Sequence, residues 1–121
     1  MKILIIDDSL FALGVFKTTI ESLGYKVIIA AGGKKGLEKY KEERPDIIIC
    51  DILMPEIDGY TVIREVRETN KIIPIIAVTA DVQKSTSRLL EDMGVTEILS
   101  KPFDIEKIKN IFYQMERGLN I

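Results

Sequence analysis

The sequence contains no histidine and no tryptophan, and its only cysteine is Cys50. Without histidine, the chain lacks the side chain that most often binds transition metals and transfers protons near neutral pH. Any metal that it binds is therefore expected to be a hard cation held by oxygen atoms. One cysteine cannot form an intrachain disulfide, and the apolar neighbours of Cys50 favour a small buried residue over a reactive thiol.

Long apolar segments and a strong charge of one sign are also missing. No apolar run exceeds seven residues even with Gly and Pro counted, whereas a membrane-spanning helix needs about 20. The N-terminal MKILII is stopped by two aspartates, too early for a secretory signal. A formal net charge of −2 gives no reason to expect binding to nucleic acid or to a membrane. These features predict a cytoplasmic protein, and a length of 121 residues predicts one domain.

What the sequence does contain is a regular alternation of short apolar runs and amphipathic segments. The runs are rich in β-branched residues and predict strands covered on both faces, at residues 3–6, 27–31, 47–50, 74–78 and 97–99. Helical spacing predicts a helix carrying a stripe from Leu13 to Leu23 and closed by Gly24, helices over 34–43, 59–69 and 82–93, and a last helix capped by Asp104 and ending near Gly118. Five successive strand–helix units predict an α/β fold with a parallel sheet and helices on both faces.

Polar side chains stand at the carboxyl ends of four predicted strands. Asp7 and Asp8 follow the first, Asp51 the third, Thr79 the fourth and Lys101 the fifth. Ligand sites in open parallel sheets lie beyond the carboxyl ends of the strands. We therefore expect three carboxylates, one hydroxyl and one ammonium group to meet at one edge of the sheet.

Three carboxylates at one edge of the sheet need positive charge nearby to offset their mutual repulsion. Two of them about 5 Å apart repel by roughly 3 kcal/mol at an effective dielectric constant near 20. Lys101 offsets part of this repulsion, and a divalent cation bound by hard oxygens, Mg²⁺ or Mn²⁺, offsets far more. An aspartate beside such a metal can act as a nucleophile toward phosphorus, while Lys101 and Thr79 interact with phosphoryl oxygens. The residue types therefore indicate phosphoryl transfer onto a carboxylate.

Each of these residues also has a purely structural interpretation. An Asp-Asp pair before a helix often only caps it, and Ser9 can cap as well. Thr79 alone is typical of a strand end, and Lys101 alone of a solvated charge. The functional interpretation depends on all of them occurring in order at the ends of four of the five predicted strands.

Taken together, the motifs ILIIDDS, DIIICDILMPEIDGY, PIIAVTA and ILSKPF resemble those of a response regulator receiver domain, and the resemblance covers residues 1–121 as a single domain. It implies a doubly wound, flavodoxin-like (βα)5 fold with a five-stranded parallel sheet in the strand order 2-1-3-4-5. It also implies that Asp51 is the phosphoacceptor. Asp7, Asp8, Asp51 and the backbone carbonyl of Leu53 would be the protein ligands of Mg²⁺.

The same resemblance implies a switch and its partners. Thr79 would be the switch hydroxyl, and Lys101 would pair with a phosphoryl oxygen and precede a cis peptide bond to Pro102. The donor would be a phosphohistidine on a sensor histidine kinase or phosphotransfer protein. The output would be altered binding to a downstream protein or domain through the face formed by the fourth helix, fifth strand and fifth helix. Such a domain catalyses only its own phosphorylation and dephosphorylation, so it is not an enzyme acting on other substrates.

Some positions carry more particular expectations. Ile98 stands three residues before Lys101, where this family often has an aromatic gating residue, so we expect a muted or differently built switch. Leu53 lies at a position that influences water access in this family, and its bulk predicts slow self-dephosphorylation. Gly59 is expected to open a tight turn into the third helix.

Three alternatives differ in the motifs they require. A flavodoxin-like electron carrier needs a hydroxyl- and glycine-rich phosphate loop where this chain has DDSLFA, which would repel phosphate. A haloacid-dehalogenase-like phosphatase also uses Mg²⁺ and an aspartate nucleophile, but its Asp-x-Asp motif would place an aspartate where Ser9 stands. A degenerate receiver that serves only for docking should have lost Asp51, Lys101 or the acidic pair. The phosphatase is the closest chemical alternative, and turnover of small phosphoesters would distinguish it.

Overall fold

The short β-branched runs form one parallel sheet in the computed structural model, which describes residues 1–81, 83–102 and 104–119. The strands are β1 (Lys2–Asp7), β2 (Lys26–Ala31), β3 (Ile47–Asp51), β4 (Ile75–Thr79) and β5 (Glu97–Ser100). The helices are α1 (Leu10–Glu21), α2 (Gly33–Glu43), α3 (Gly59–Thr69), α4 (Lys84–Asp92) and α5 (Ile105–Leu119). Within the described ranges, no helix combines the length and apolar character needed to cross a bilayer.

The strand order is β2-β1-β3-β4-β5, and all neighbouring strands are parallel. The predicted α/β class, doubly wound architecture and strand order 2-1-3-4-5 are therefore confirmed. In the central pair, Ile6 of β1 is paired with Cys50 of β3. The register consequently brings the last residues of these two strands to the same edge of the sheet.

Both faces of the sheet are covered by helices, which explains why the strands are apolar without alternation. One face forms the α1–α5 cluster, whose helical members are Leu13, Phe16, Ile20, Ile108, Phe112 and Met115. The other face forms the α2–α4 cluster, in which buried side chains of α3 and α4 (Val62, Ile63, Val66 and Leu90) are joined by partly buried residues of α2. Successive residues of β1 alternate between the two, with Ile3 and Ile5 in the first cluster and Leu4 and Ile6 in the second.

Several helix ends differ from the sequence prediction. The apolar stripe predicts α1 to Leu23, but the helix ends at Glu21 and Gly24 lies beyond it with a φ of 95°. The helix α4 begins at Lys84, and the predicted start at Val82 lies outside the described residues. The predicted cap of α5 is confirmed, since Asp104 Oδ1 accepts a hydrogen bond from the Lys107 amide at 3.0 Å. That helix continues one residue past Gly118.

Gly59 begins α3, and a close approach of the backbone explains why glycine is needed there. A Cβ atom at this position would lie 2.6 Å from the Cα of Ile52 and would also collide with the carbonyl oxygen of Asp51. The Gly59 amide donates to the carbonyl of Ile52 at 2.8 Å, which holds the two segments together. The left-handed residue of this loop is Glu56, with a φ of 65°. Steric space, not a positive φ, is therefore what Gly59 provides.

Candidate functional site

The carboxyl ends of β1 and β3 bring three carboxylates together. Asp7 and Asp51 are the last residues of these strands and are almost fully buried, with exposed fractions of 1% and 6%. Asp8 follows directly and is exposed. One carboxylate oxygen from each of the three lies within 4.8 Å of the others. The predicted clustering of Asp7, Asp8 and Asp51 is thus present.

Ser9, and not the acidic pair, caps the helix that follows β1. The Ser9 hydroxyl accepts a hydrogen bond from the Ala12 amide at 3.2 Å, as expected of an N-cap residue. Asp7 uses Oδ1 to accept from the Ser9 amide at 2.9 Å. Its other oxygen, Oδ2, is buried and has no hydrogen-bond partner among the described residues. A buried carboxylate oxygen without a partner is costly, so it calls for a ligand.

Lys101, immediately after β5, is the cation nearest to this group among the described residues. Its Nζ atom lies 3.6 Å from Oδ1 of Asp51 and 3.8 Å from Oδ2 of Asp7. At these distances the groups form ion pairs, but they are too far apart for a hydrogen bond. The Lys101 amide donates to the carbonyl of Thr79 at 2.9 Å, and the Lys101–Pro102 peptide is cis as predicted. One partly exposed ammonium group therefore serves two buried carboxylates.

The electrostatic balance at Asp51 remains unfavourable to its charged form. Burial, and then the neighbouring Asp7, raise the pKa of Asp51 above its ordinary value. Lys101 and a hydrogen bond from the Ile52 amide only partly oppose this rise in pKa. Asp51 is thus a more basic carboxylate than a solvated one.

The donor set fits a small, hard divalent cation. The three aspartates offer closely spaced carboxylate oxygens, one of them buried and without a hydrogen bond from the described residues, and the chain has no histidine that would favour zinc. Mg²⁺ prefers oxygen ligands of this kind. Leu53, whose carbonyl is the fourth ligand expected from the resemblance, follows Asp51 by two residues, and its side chain is 66% exposed.

Thr79 ends β4 beside this group, and its hydroxyl is already engaged. The side chain is buried, with 2% exposed, and Oγ1 accepts a hydrogen bond from the Asp81 amide at 3.0 Å. The carboxylate of Asp81 in turn accepts from the Gln83 amide at 2.9 Å and from the Thr86 hydroxyl at 2.6 Å. Thr86 was not predicted from the sequence, where an aspartate five residues before a threonine is only a weak signal.

Ile98 lies where β5 faces α4. Its half-buried side chain packs against the α2–α4 cluster. A cavity of about 370 Å³ opens beside it, with Asp81, Ser87, Glu91 and Ser100 among its lining residues. There is consequently space next to Ile98 on the side of β5 that faces α4.

Comparison with known proteins identifies the family of this chain. The sequence model of the response regulator receiver domain family matches residues 3–113. The alkaline phosphatase synthesis transcriptional regulatory protein PhoP of Bacillus subtilis is 31% identical over 107 residues, which cover 88% of this chain and 45% of PhoP. The chain spans about half the length of the first such curated relatives.

Two solved structures are similar over nearly their whole length. The chemotaxis protein CheY4 of Vibrio cholerae is 30% identical, with a TM-score of 0.88 and coverage of 93% of this chain and 96% of that one. The receiver domain of sensor histidine kinase PA1611 from Pseudomonas aeruginosa is also 30% identical, with a TM-score of 0.84 and coverage of 93% and 94%. That structure has a magnesium ion coordinated in its active-site cleft.

Proposed function

This chain belongs to the response regulator receiver domain family, and from that premise we propose that it accepts a phosphoryl group on Asp51 in a Mg²⁺-dependent reaction. Phosphorylation would then alter its binding to a downstream protein or domain. The observation that carries the proposal is the buried Oδ2 of Asp7, which accepts no hydrogen bond from the described residues and lies beside Asp51 and Lys101. A site built in this way is incomplete without a cation and a phosphoryl group.

We assign the metal to Asp7, Asp8, Asp51 and the carbonyl of Leu53. Mg²⁺ bound there would neutralise carboxylate charge and polarise an incoming phosphoryl group. The spacing of the three carboxylates supports this assignment, as does Oδ2 of Asp7, which is buried and accepts no hydrogen bond from the described residues. The magnesium ion in the similar PA1611 receiver domain supports the same choice of metal.

Asp51 is the proposed nucleophile. Its carboxylate oxygen would attack phosphorus while the bond from phosphorus to the donor breaks, and the electron pair of that bond would leave with the donor group. Burial and Asp7 raise the pKa of Asp51, and a more basic oxygen is a better nucleophile. Asp51 would also be positioned by its place at the end of a fully buried strand.

Lys101 and Thr79 are the proposed partners of the phosphoryl oxygens. The Nζ atom of Lys101 lies 3.6 Å from Asp51 without a direct hydrogen bond, so it can turn to a phosphoryl oxygen at little cost. Thr79 carries the only hydroxyl at the end of β4, and it would donate to a second phosphoryl oxygen. Both groups would stabilise charge that develops on the equatorial oxygens.

The phosphoryl donor lies outside these 121 residues, because they contain no histidine. We propose a phosphohistidine on a sensor histidine kinase or phosphotransfer protein as that donor. The output would pass through the face formed by α4, β5 and α5 to a downstream protein or domain. Residues 1–121 would act as one receiver domain that catalyses only its own phosphorylation and dephosphorylation.

Incubation with acetyl phosphate tests the proposal. With Mg²⁺ present, intact mass spectrometry is expected to show one added phosphoryl group that hydroxylamine removes, and peptide mapping should place it on Asp51. EDTA or the Asp51→Asn substitution should abolish the modification. Failure of the wild-type protein to gain a phosphoryl group would contradict the proposal, whereas steady turnover of small phosphoesters would favour the phosphatase alternative.

A further inference from the structure

The Thr79 hydroxyl is linked to the first turn of α4 by a short chain of hydrogen bonds. The Asp81 amide donates to Thr79 Oγ1 at 3.0 Å, and Oδ2 of Asp81 accepts from the Thr86 hydroxyl at 2.6 Å. Thr86 is the third residue of α4 and is half-buried. Asp81 therefore touches the proposed switch residue through its backbone and the helix through its side chain.

The start of α4 depends on Asp81 because the helix has no cap of its own. Its N-cap residue, Gln83, makes no side-chain capping bond, whereas Ser9 caps α1 and Asp58 caps α3. Instead, the Gln83 amide donates to Oδ1 of Asp81 at 2.9 Å. The bond from Thr86, followed by the bond from Gln83, lowers the pKa of Asp81, so the carboxylate is charged when it makes them.

The packing of α4 is sparse, so these end contacts carry much of its attachment. Leu90 is its one buried residue within the described part of the chain, compared with four in α3. The far end of α4 is held separately by Arg67 of α3. Its guanidinium donates to the carbonyl of Gly94 at 2.6 and 3.1 Å. The two ends of α4 are thus fixed by different residues, and only one end touches Thr79.

We propose that Asp81 is a positioning residue that couples the Thr79 hydroxyl to the first turn of α4 through Thr86. The inference rests on the proposed function, because phosphorylation of Asp51 is its trigger. When Thr79 turns its hydroxyl toward a phosphoryl oxygen, the Asp81 amide loses its acceptor. The Asp81 backbone then moves, and its bonds to Gln83 and Thr86 move with it, while Arg67 holds the far end of α4.

This coupling also accounts for a switch without an aromatic residue at position 98. Ile98 has no polar group that could follow the Thr79 hydroxyl, and it is half-buried against the α2–α4 cluster. The hydrogen-bonded route through Asp81 needs no change at Ile98. The cavity beside Ile98 is lined by Asp81 and by Ser87 and Glu91 of α4, so the helix has space to shift on this side.

Amide hydrogen exchange measured by NMR tests the coupling, with beryllofluoride and Mg²⁺ as the probe of the phosphorylated form. The reporters are the Asp81 amide, which donates to Thr79, and the Ser87 amide, which donates to the carbonyl of Gln83 at 3.1 Å. In the wild-type protein, beryllofluoride is expected to speed exchange at both amides by about fivefold or more, the scale of one ordinary hydrogen bond.

Three substitutions make the test specific. Thr86→Val removes the hydroxyl and keeps the shape, so it should speed Ser87 exchange about fivefold in the free protein and leave little further increase with beryllofluoride. Thr86→Ser restores the hydroxyl and should behave as wild type. Arg67→Met releases the far end of α4 and should speed exchange at Val95, whose amide donates to Leu90, equally in both states.

The possible failures are distinguishable. If ¹⁹F NMR shows no beryllofluoride bound to the wild-type protein, the proposed function is wrong and the coupling falls with it. If beryllofluoride binds, Asp51→Asn abolishes that binding, and exchange at Asp81 does not change, the coupling alone is wrong. If Thr86→Val speeds Ser87 exchange by the same factor with and without beryllofluoride, Thr86 has a purely structural role and the coupling is wrong.

Discussion

At the scale of single residues, the site depends on how Asp7 shares its two oxygens. One accepts from the Ser9 amide, and the other is left buried between Asp51 and Lys101 without a hydrogen bond among the described residues. Because Ser9 supplies the helix cap, neither carboxylate of the pair is consumed in capping. The local structure thus leaves Asp7 and Asp8 available to a cation.

Removing the charge of Asp51 should stabilise the metal-free protein. Burial and then Asp7 raise the pKa of Asp51 in the folded protein above its value in the unfolded chain. The protonated side chain therefore favours the folded state fully at a pH below the unfolded-state pKa, and this stabilisation is lost as the pH rises through the folded-state pKa. Asp51→Asn should therefore raise the free energy of unfolding at pH 7 by about 1 kcal/mol, with the gain vanishing in acid. Urea unfolding in EDTA across this pH range measures it.

Asp92→Asn is the matched control for that charge removal. Asp92 is exposed at the end of α4, away from the acidic group, so its substitution should change stability by less than about 0.5 kcal/mol. If Asp51→Asn instead makes the protein less stable at neutral pH, the repulsion between Asp51 and Asp7 is already compensated in the metal-free protein.

Leu53 should slow the loss of the phosphoryl group. Its apolar side chain follows Asp51 by two residues and is 66% exposed, so it can shield an aspartyl phosphate from water. Leu53→Asn is expected to hydrolyse severalfold faster, which phosphate release after removal of the donor would measure. Slower hydrolysis in the variant would count against shielding.

At the scale of the elements, the connection from β3 to α3 is fixed by a backbone contact that admits no side chain. Gly59→Ala should lower the free energy of unfolding by about 2–4 kcal/mol, because the new methyl group would meet the backbone of Asp51 and Ile52, which cannot move aside easily. Chemical denaturation measures the loss.

Gly14→Ala provides the opposite case on α1. A Cβ atom at Gly14 has no heavy atom within 4 Å, so alanine there should stabilise the helix by about 0.5–1 kcal/mol. If both substitutions changed the free energy of unfolding in the same direction, the loss at Gly59 could not be attributed to its close approach to the backbone of Asp51 and Ile52.

The elements also show where prediction from sequence ends. The strands and the clustering of Asp7, Asp8 and Asp51 follow from β-branched runs and from the rule that sites lie at the carboxyl ends of strands. The end of α1 does not, because Leu23 continues the apolar stripe and packs against the α1–α5 cluster after the helix has ended. The link from Thr79 to Thr86 depends on the path of the loop between β4 and α4, which periodicity does not specify.

At the scale of the whole molecule, the strand order determines where the acids meet. The chain passes from β1 to β2 on one side and returns to β3 on the other, so Asp7 and Asp51 lie at the point where the strand order reverses. Ligands of doubly wound sheets bind at such a point. Occupation of this site should therefore stabilise the fold as a unit.

Mg²⁺ should raise the stability of the whole domain. At tenfold excess over its Kd, the free energy of unfolding should increase by about 1.4 kcal/mol, since the ion binds only the folded chain. Thermal unfolding in MgCl₂ and in NaCl of equal ionic strength measures the difference. Asp7→Asn should remove most of the effect, and equal melting temperatures for the wild-type protein in the two salts would refute the metal site.

The burial of Cys50 makes it possible to label a second, introduced cysteine selectively. Its thiol is fully buried in β3, donates to the carbonyl of Asp51 at 3.3 Å, and has a pKa raised mainly by burial. Alkylating reagents attack exposed thiolates, so they should pass over this native thiol in the folded chain. A fluorophore can then be attached to a Lys84→Cys variant at the exposed start of α4 while Cys50 stays in place. Displacement of that helix would become visible in real time by stopped-flow fluorescence.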